Sequence, residues 1–386
     1  MSNIDRLENW FLQHKETSLF GRYISYDHIA PILDRHASKM KIEVIGESEN
    51  NAPIHLITLG TGPKKLLYWS QMHGNESTTT KAVFDVLNFL NDAKEPSVKE
   101  LLESCTLYII PILSPDGAKA YTRLNYNQVD LNRDAQAKTQ KESVVLNKII
   151  SQIQPDVAFN LHGQRTIFSA GETNHTATVS FLSPAGDPER TITASRKIGM
   201  EIIAHMNSIL QQYIPNQVGR YDDGFNINCI GDTLESLGIP TILFEAGHYE
   251  EDYDREHTRK YIFYALVSSL EYLASTSVTG AYYQDYFSIP ENGKCFYDII
   301  IRDVLLNDKN VDIAIQFSEK LEENTVKFVP KIVKIDDLRK FYGHREIEGK
   351  KRVIRHENVT VEIVPEVEML KFHLDSELFS IELTKR

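Results

Sequence analysis

Between residues 40 and 275, short apolar, β-branched runs alternate with longer segments whose apolar residues recur every three or four positions. This alternation constrains the fold more than any other feature of the chain. The runs are IEVIG (42–46), IHLITL (54–59), KLLYWSQ (65–71), TLYIIPIL (106–113), DVAFNL (156–161), TVSFL (178–182) and TILFEA (241–246). Several are almost continuously apolar, as strands covered on both faces are. Between them, 77–90 places Val83, Val86, Leu87 and Leu90 on one helical face, with Ser77 or Thr78 available as N-cap. Segments 141–153, 189–212 and 254–274 behave likewise. The pattern predicts an α/β fold: a twisted, mostly parallel or mixed sheet with helices on both faces.

Beyond residue 280 the long helical patterns largely vanish. FYDIIIRDV, VDIAIQF, TVKFVPKIV, VTVEIV and ELFSIEL recur with turn residues between them, the signature of short strands. A length of 386 residues accommodates two or three domains, and we divide the chain into an α/β domain, 1–280, and a β-rich accessory domain, 281–386. The net charge of −12 argues against a phosphate-tracking surface and hence against a nucleic-acid partner. Cys105, Cys229 and Cys295 form no C-x-x-C pair, so neither a thiolate zinc site nor a disulfide framework is indicated. The polar start, MSNIDRLENWFLQHKE, lacks the pattern of a secretory signal. No apolar run reaches the 18 or so residues of a membrane span. The expectation is a soluble cytoplasmic protein without membrane partners.

The chemistry concentrates at strand ends. WSQMHGNES puts His73 and Glu76 just beyond the run 65–71. With 13 histidines in the chain, His-x-x-Glu arises about once by chance, so position has to carry the argument. His162 follows DVAFNL, and Glu245 lies at the end of TILFEA. In open α/β sheets the crevice beyond the strand C-termini is where ligands bind. His, Glu and His make a catalytic zinc set of three protein ligands with a fourth position open for water, and a further acid beside that water supplies a general base. The segment SPDGAKAYTRLNYNQVDLNRD (114–134) adds Arg123 and Arg133 on a loop after TLYIIPIL. One cation suits an oxyanion, and a planar guanidinium suits a substrate carboxylate.

With these residues in place, the chain resembles the zinc carboxypeptidase family of metallopeptidases across roughly residues 40–250. His-Gly-Asn-Glu, Ser-Pro-Asp-Gly, Asp-Leu-Asn-Arg, Leu-His-Gly and Phe-Glu-Ala-Gly occur in family order. The resemblance implies one Zn2+ per chain held by His73, Glu76 and His162. It makes Glu245 the glutamate that activates water and protonates the leaving amine. Arg123, nine residues before Asn132, matches the oxyanion-stabilising arginine of the branches with this short loop. Asn132 and Arg133 match the pair that holds the substrate's terminal carboxylate, and Asp130 matches the carboxylate that orients the first zinc histidine. Two features depart from the pattern. Asn75 stands where the digestive members carry Arg, and Tyr221 is the nearest candidate for the family's mobile tyrosine although its spacing differs. Ile230 falls in the stretch that lines the family's specificity pocket and hints at an apolar lining.

Aspartoacylase and succinylglutamate desuccinylase amidohydrolases share His-Gly-Asn-Glu and Asp-Leu-Asn-Arg and often carry a β-rich C-terminal domain. The murein-peptide amidases are similar around RLNYNQVDLNR. Ser-Pro-Asp-Gly and the Arg-to-Asn interval favour the peptidase branches over an N-acyl amino acid amidohydrolase. A non-catalytic binding module would have lost Glu245 or a metal ligand, and all are present. A nucleotide-binding protein would show a Gly-rich fingerprint after a strand, and none does. The expectation is a zinc metallocarboxypeptidase acting on a peptide, or a peptide-like amide, that ends in a free carboxylate.

Overall fold

The computed structural model describes residues 3–92 and 94–383. The chain forms two compact units: one runs to Gln164 and resumes over Ala177–Asn292, and the other comprises Arg165–Thr176 with the residues from Gly293 onward.

The first unit is built on an eight-stranded mixed sheet. Its strands are β1 (Lys41–Glu47), β2 (Pro53–Leu59), β3 (Lys64–Ser70), β4 (Cys105–Ile110), β5 (Val157–Gly163), β6 (Val179–Leu182), β7 (Val218–Arg220) and β8 (Thr241–Ala246). They lie in the order β1-β2-β4-β3-β5-β8-β6-β7. The block β4-β3-β5-β8 is parallel, and β1, β2 and β6 join antiparallel neighbours. The seven runs read from the sequence supply every strand but Val218–Arg220, which is too short to show a pattern, and two of the runs end later than their strands. β4 stops at Ile110 because Pro111 has no N–H to donate to the ladder. β3 stops at Ser70 because Gln71 takes φ +44.

Alternation along the strands divides the core between the two faces. On one face Leu66, Tyr68, Phe159, Leu161 and Phe244 pack with α3 (Thr78–Leu90), α7 (Ala194–Leu210) and α9 (Glu256–Ser275). On the other, Leu67, Trp69, Ile110 and Ala158 pack with α6 (Lys141–Ile153) and α8 (Ile230–Ser236). Because the central strands are parallel, β3, β5 and β8 deliver their C-terminal ends to one edge. His162 stands opposite Glu245 in the β5/β8 register.

Two further helices, α1 (Asn3–His14) and α2 (Tyr26–His36), precede the sheet, and α4 (Pro96–Ser104) and α5 (Pro115–Ala120) lie before and after β4 in the chain. The segment between them is fixed by Arg259, whose side chain is fully buried and grips Asp85 through Nε and Nη2 at 2.7 and 2.6 Å. The same guanidinium donates to the carbonyls of Leu19 and Glu16 at 2.6 and 2.8 Å. Breaking such a pair leaves a buried charge uncompensated, so Asp85→Ala should lose about 3–5 kcal/mol in urea unfolding. A loss under about 1 kcal/mol, the range of exposed pairs, would show that the pair is effectively solvated.

The second unit holds β9 (Phe296–Leu306), β10 (Lys309–Glu322), β11 (Thr325–Asp336) and β12 (Tyr342–Glu348) in the order β11-β10-β9-β12. The turns Asn307-Asp308 and Glu323-Asn324 carry positive φ at both positions, which matches the twist of the hairpins they close. A three-stranded antiparallel sheet, Ile354–His356, Lys371–Leu374 and Glu377–Ser380, shares the core of Ile299, Ile301, Ile313, Ile315 and Ile332 through Phe372 and Leu374. No helix among the described residues is long and apolar enough to cross a membrane.

Candidate active site

The loop 71–77 leaves β3 and enters α3, carrying His73 and Glu76 to the C-terminal edge of the sheet. Gly74 makes this path possible. A Cβ there would lie 1.8 Å from the Gly117 carbonyl carbon, so the backbone approaches more closely than any side chain allows. His162, the penultimate residue of β5, meets the loop. Its Nδ1 lies 3.1 Å from Nδ1 of His73 and 2.9 Å from Oε2 of Glu76. Nδ1 of His73 lies 2.9 Å from Oε1 of Glu76. The Gly163 amide donates to Glu76 Oε2 at 3.0 Å and fixes the carboxylate.

This donor set fits a divalent cation. The other nitrogen of His73, Nε2, is 2.9 Å from Asp130 Oδ1. Once Nδ1 gives up its proton for a cation, the proton held on Nε2 by Asp130 keeps the Nδ1 lone pair pointing at the cluster. Two imidazole nitrogens and a carboxylate thus converge, all within 4.8 Å of one another, and both histidines are buried. Zinc accepts N and O donors of this kind. Among the described residues this is the one such cluster of histidine, cysteine and acidic side chains.

The charges are strongly coupled. Burial pulls the His73 imidazole down, but Glu76 and Asp130 more than offset it and hold it at about 9. Burial works to raise Glu76, yet the two imidazoles hold it well below the usual carboxylate range. Asp130 is likewise opposed by burial and held low by His73 and Arg123. Glu245 behaves oppositely: burial pushes it well above the ordinary value, and the nearby Glu76 charge pushes it further. Its Oε2 is buried and has no hydrogen-bond partner. A carboxyl set apart from its neighbours in this way is suited to proton transfer.

Arg123 bridges the set. It donates to Asp130 Oδ2 from Nε at 3.1 Å and to Glu76 Oε1 from Nη1 at 3.4 Å, and 46% of its side chain remains exposed. Asn132 and Arg133 lie in a short 3-10 turn, Leu131–Arg133, capped by Asp130. The Asn132 side-chain oxygen accepts from the Ile230 amide at 3.1 Å, which leaves its NH2 group as the donor facing elsewhere. Arg133 is exposed and anchored by Nη1 to the Asn132 carbonyl at 2.8 Å and to Cys229 Sγ at 3.1 Å. Ile230 opens α8 and is buried in the core. Tyr221 follows β7, an edge strand of the sheet, with its amide donating to the Phe181 carbonyl at 2.9 Å. Motif reading missed Gly163 and Gln71, which act on the ligand loop through a backbone amide and a side-chain amide respectively.

Comparison with known proteins bears on this geometry. A model of the zinc carboxypeptidase family matches residues 26–183. The chain is 33% identical over 98 residues to Carboxypeptidase SOL1 of Arabidopsis thaliana, covering 23% of this chain and 20% of that protein. It is 25% identical over 184 residues to Carboxypeptidase M of Mus musculus, covering 41% of this chain and 42% of that one. The chain therefore spans less than half the length of either curated relative. In fold it is similar to a metallo-carboxypeptidase from Burkholderia cenocepacia, with TM-score 0.50 and 18% identity over 64% of this chain and 69% of that one. It is also similar to thrombin activatable fibrinolysis inhibitor, with TM-score 0.52 and 14% identity over 71% and 81% of the two chains. The chain thus resembles the zinc carboxypeptidases in sequence over residues 26–183 and in fold over 64% of its length.

Proposed function

We propose that the chain is a zinc-dependent metallocarboxypeptidase that hydrolyses the terminal amide bond of a peptide, or of a peptide-like substrate, ending in a free carboxylate. The observation that carries this reading is the convergence of both Nδ1 atoms and the Glu76 carboxylate, backed by Asp130 on the far nitrogen of His73.

His73, Glu76 and His162 would hold the zinc. When bound, it supplies a Lewis acid and lowers the pKa of a coordinated water. The rest is assigned to the chain's own groups. Glu245 takes the proton of the attacking water and returns it to the leaving amine. Its side chain lies beyond the span matched by the family model, and the support for its role is its register opposite His162 and its buried, unpartnered oxygen. Arg123 donates to the oxyanion that forms as water adds to the carbonyl. The Asn132 NH2 group and the Arg133 guanidinium hold the terminal carboxylate and set the scissile bond in place. The β-rich residues 281–386 have no part in these steps, and we propose them as an accessory domain.

Metal analysis of the purified full chain should find about one zinc per molecule, as expected for a His-Glu-His set with its fourth position open. His73→Ala should lose it, since two ligands rarely retain the ion. Zinc content equal to wild type in that variant would remove the metal assignment. Hydrolysis of N-acyl amino acids in preference to free-acid peptides would move the reading to an amidohydrolase.

A further inference from the structure

We infer that Gln71 is a positioning residue for the metal ligands: its side-chain amide ties the His73–Glu76 loop to the N-terminal segment around Ile24. The inference rests on the metal-site reading above and extends it to residues outside the ligand set.

Gln71 is the first residue after β3, two positions before His73, and is completely buried. Its φ of +44 lies in the left-handed region, where a glycine or asparagine is the usual occupant. A glutamine there carries backbone strain that persists only when its surroundings hold it. The side chain shows what holds it. Nε2 donates to the Ile24 carbonyl at 2.9 Å and to the Gly74 carbonyl at 2.8 Å. Both amide hydrogens are thereby used, one on the ligand loop and one on a segment 47 positions earlier. The Gln71 carbonyl accepts from the Ser114 amide at 3.0 Å, so the backbone is fixed from a third direction.

The anchor at the other end is rigid. Ile24 and Leu19 are each 1% exposed, and the buried Arg259 holds the carbonyls of Leu19 and Glu16. A second tie runs parallel to the first: Ser77 Oγ, next to Glu76, donates to the Arg22 carbonyl at 2.5 Å. The loop carrying two of the three metal ligands is therefore sutured at both ends, Gln71 and Ser77, to residues 22–24. Its nearest relatives do not replace the glutamine: asparagine is one methylene shorter, glutamate would present oxygens to oxygens, and glycine keeps the backbone but loses both bonds.

Groups that orient metal ligands typically change metal affinity about 10–100-fold when removed. The test is zinc affinity of the full chain, measured by competition with a chromophoric chelator, for wild type, Gln71→Ala, Gln71→Gly and Ser77→Ala, alongside thermal melting of each metal-free protein. We expect Gln71→Ala and Gln71→Gly both to weaken zinc about 10-fold or more, and Ser77→Ala to weaken it several-fold. Gly and Ala answer different questions. If Gln71→Gly bound zinc like wild type while Gln71→Ala did not, the left-handed backbone alone would matter and the tie would be overturned. Wild-type affinity in both Gln71 variants overturns it as well. Should both melt so low that affinity cannot be measured, Ser77→Ala decides, and unchanged affinity there counts against the proposal. Failure of wild type itself to bind zinc would instead strike the metal-site reading, which keeps the two questions separate.

Discussion

Glu245→Gln should retain zinc and lose about 10²–10⁴-fold in kcat, with KM little changed. The amide is nearly the size of the carboxyl it replaces, so the packing around β8 is preserved, and the three ligand side chains lie on other strands and loops. What the amide cannot do is take a proton from water and return it to a leaving amine. The large effect follows from the environment: burial and the Glu76 charge raise the affinity of Glu245 for a proton, and a base with raised pKa is the stronger proton acceptor once ionised. A bound cation would oppose that shift and bring the carboxyl back toward working pH. Steady-state kinetics paired with zinc analysis on the same preparation makes the check. If the Gln variant turned over like wild type, Glu245 would be a structural acid at a strand end, and the proton would have to move through another group.

The difference between what sequence reading found and what it missed has a physical pattern. The strands β3, β5 and β8 are legible because strands covered on both faces are almost continuously apolar, as LLYW, VAFNL and TILF are. Once these strands are parallel, their C-terminal residues share one edge, so His162 and Glu245 could be brought together without knowing a single contact. Elements whose signal is weak over their short length were not legible. The helix Tyr26–His36 contains Pro31, and Pro115–Ala120 reads as the turn Ser-Pro-Asp-Gly rather than as helix. The partners of Gln71 were invisible for another reason. A left-handed glutamine has no local sequence mark, and the carbonyl it binds is 47 positions away. Arg259 and Asp85, 174 positions apart, are a further case. The folding of Arg165–Thr176 with the second unit left no change of composition to read.

Arg123→Ala and Arg133→Ala should fail in different ways, because the two cations are assigned to different moments of the reaction. Arg123 already sits against Glu76 and Asp130 with nearly half its side chain open, next to where an oxyanion would form. That charge exists only after water has added, so losing its donor should fall on kcat, by about 10²–10³-fold, with a smaller change in KM. Arg133 is anchored through one nitrogen to Asn132 and Cys229, and the carboxylate it is assigned to hold is charged before and after bond cleavage. Interaction that is uniform across the reaction shows mainly in KM, although a substrate held loosely also reacts more slowly. A matched pair of peptides, one with a free C-terminus and one amidated, separates the two. Wild type should strongly prefer the free acid, Arg123→Ala should keep that preference at a lower rate, and Arg133→Ala should lose it. If wild type cleaved both peptides equally well, Arg133 would not be a carboxylate clamp. The same fold and metal set would then serve cleavage away from the chain end, because apart from the Asn132–Arg133 pair nothing assigned to the site distinguishes a terminal residue from an internal one.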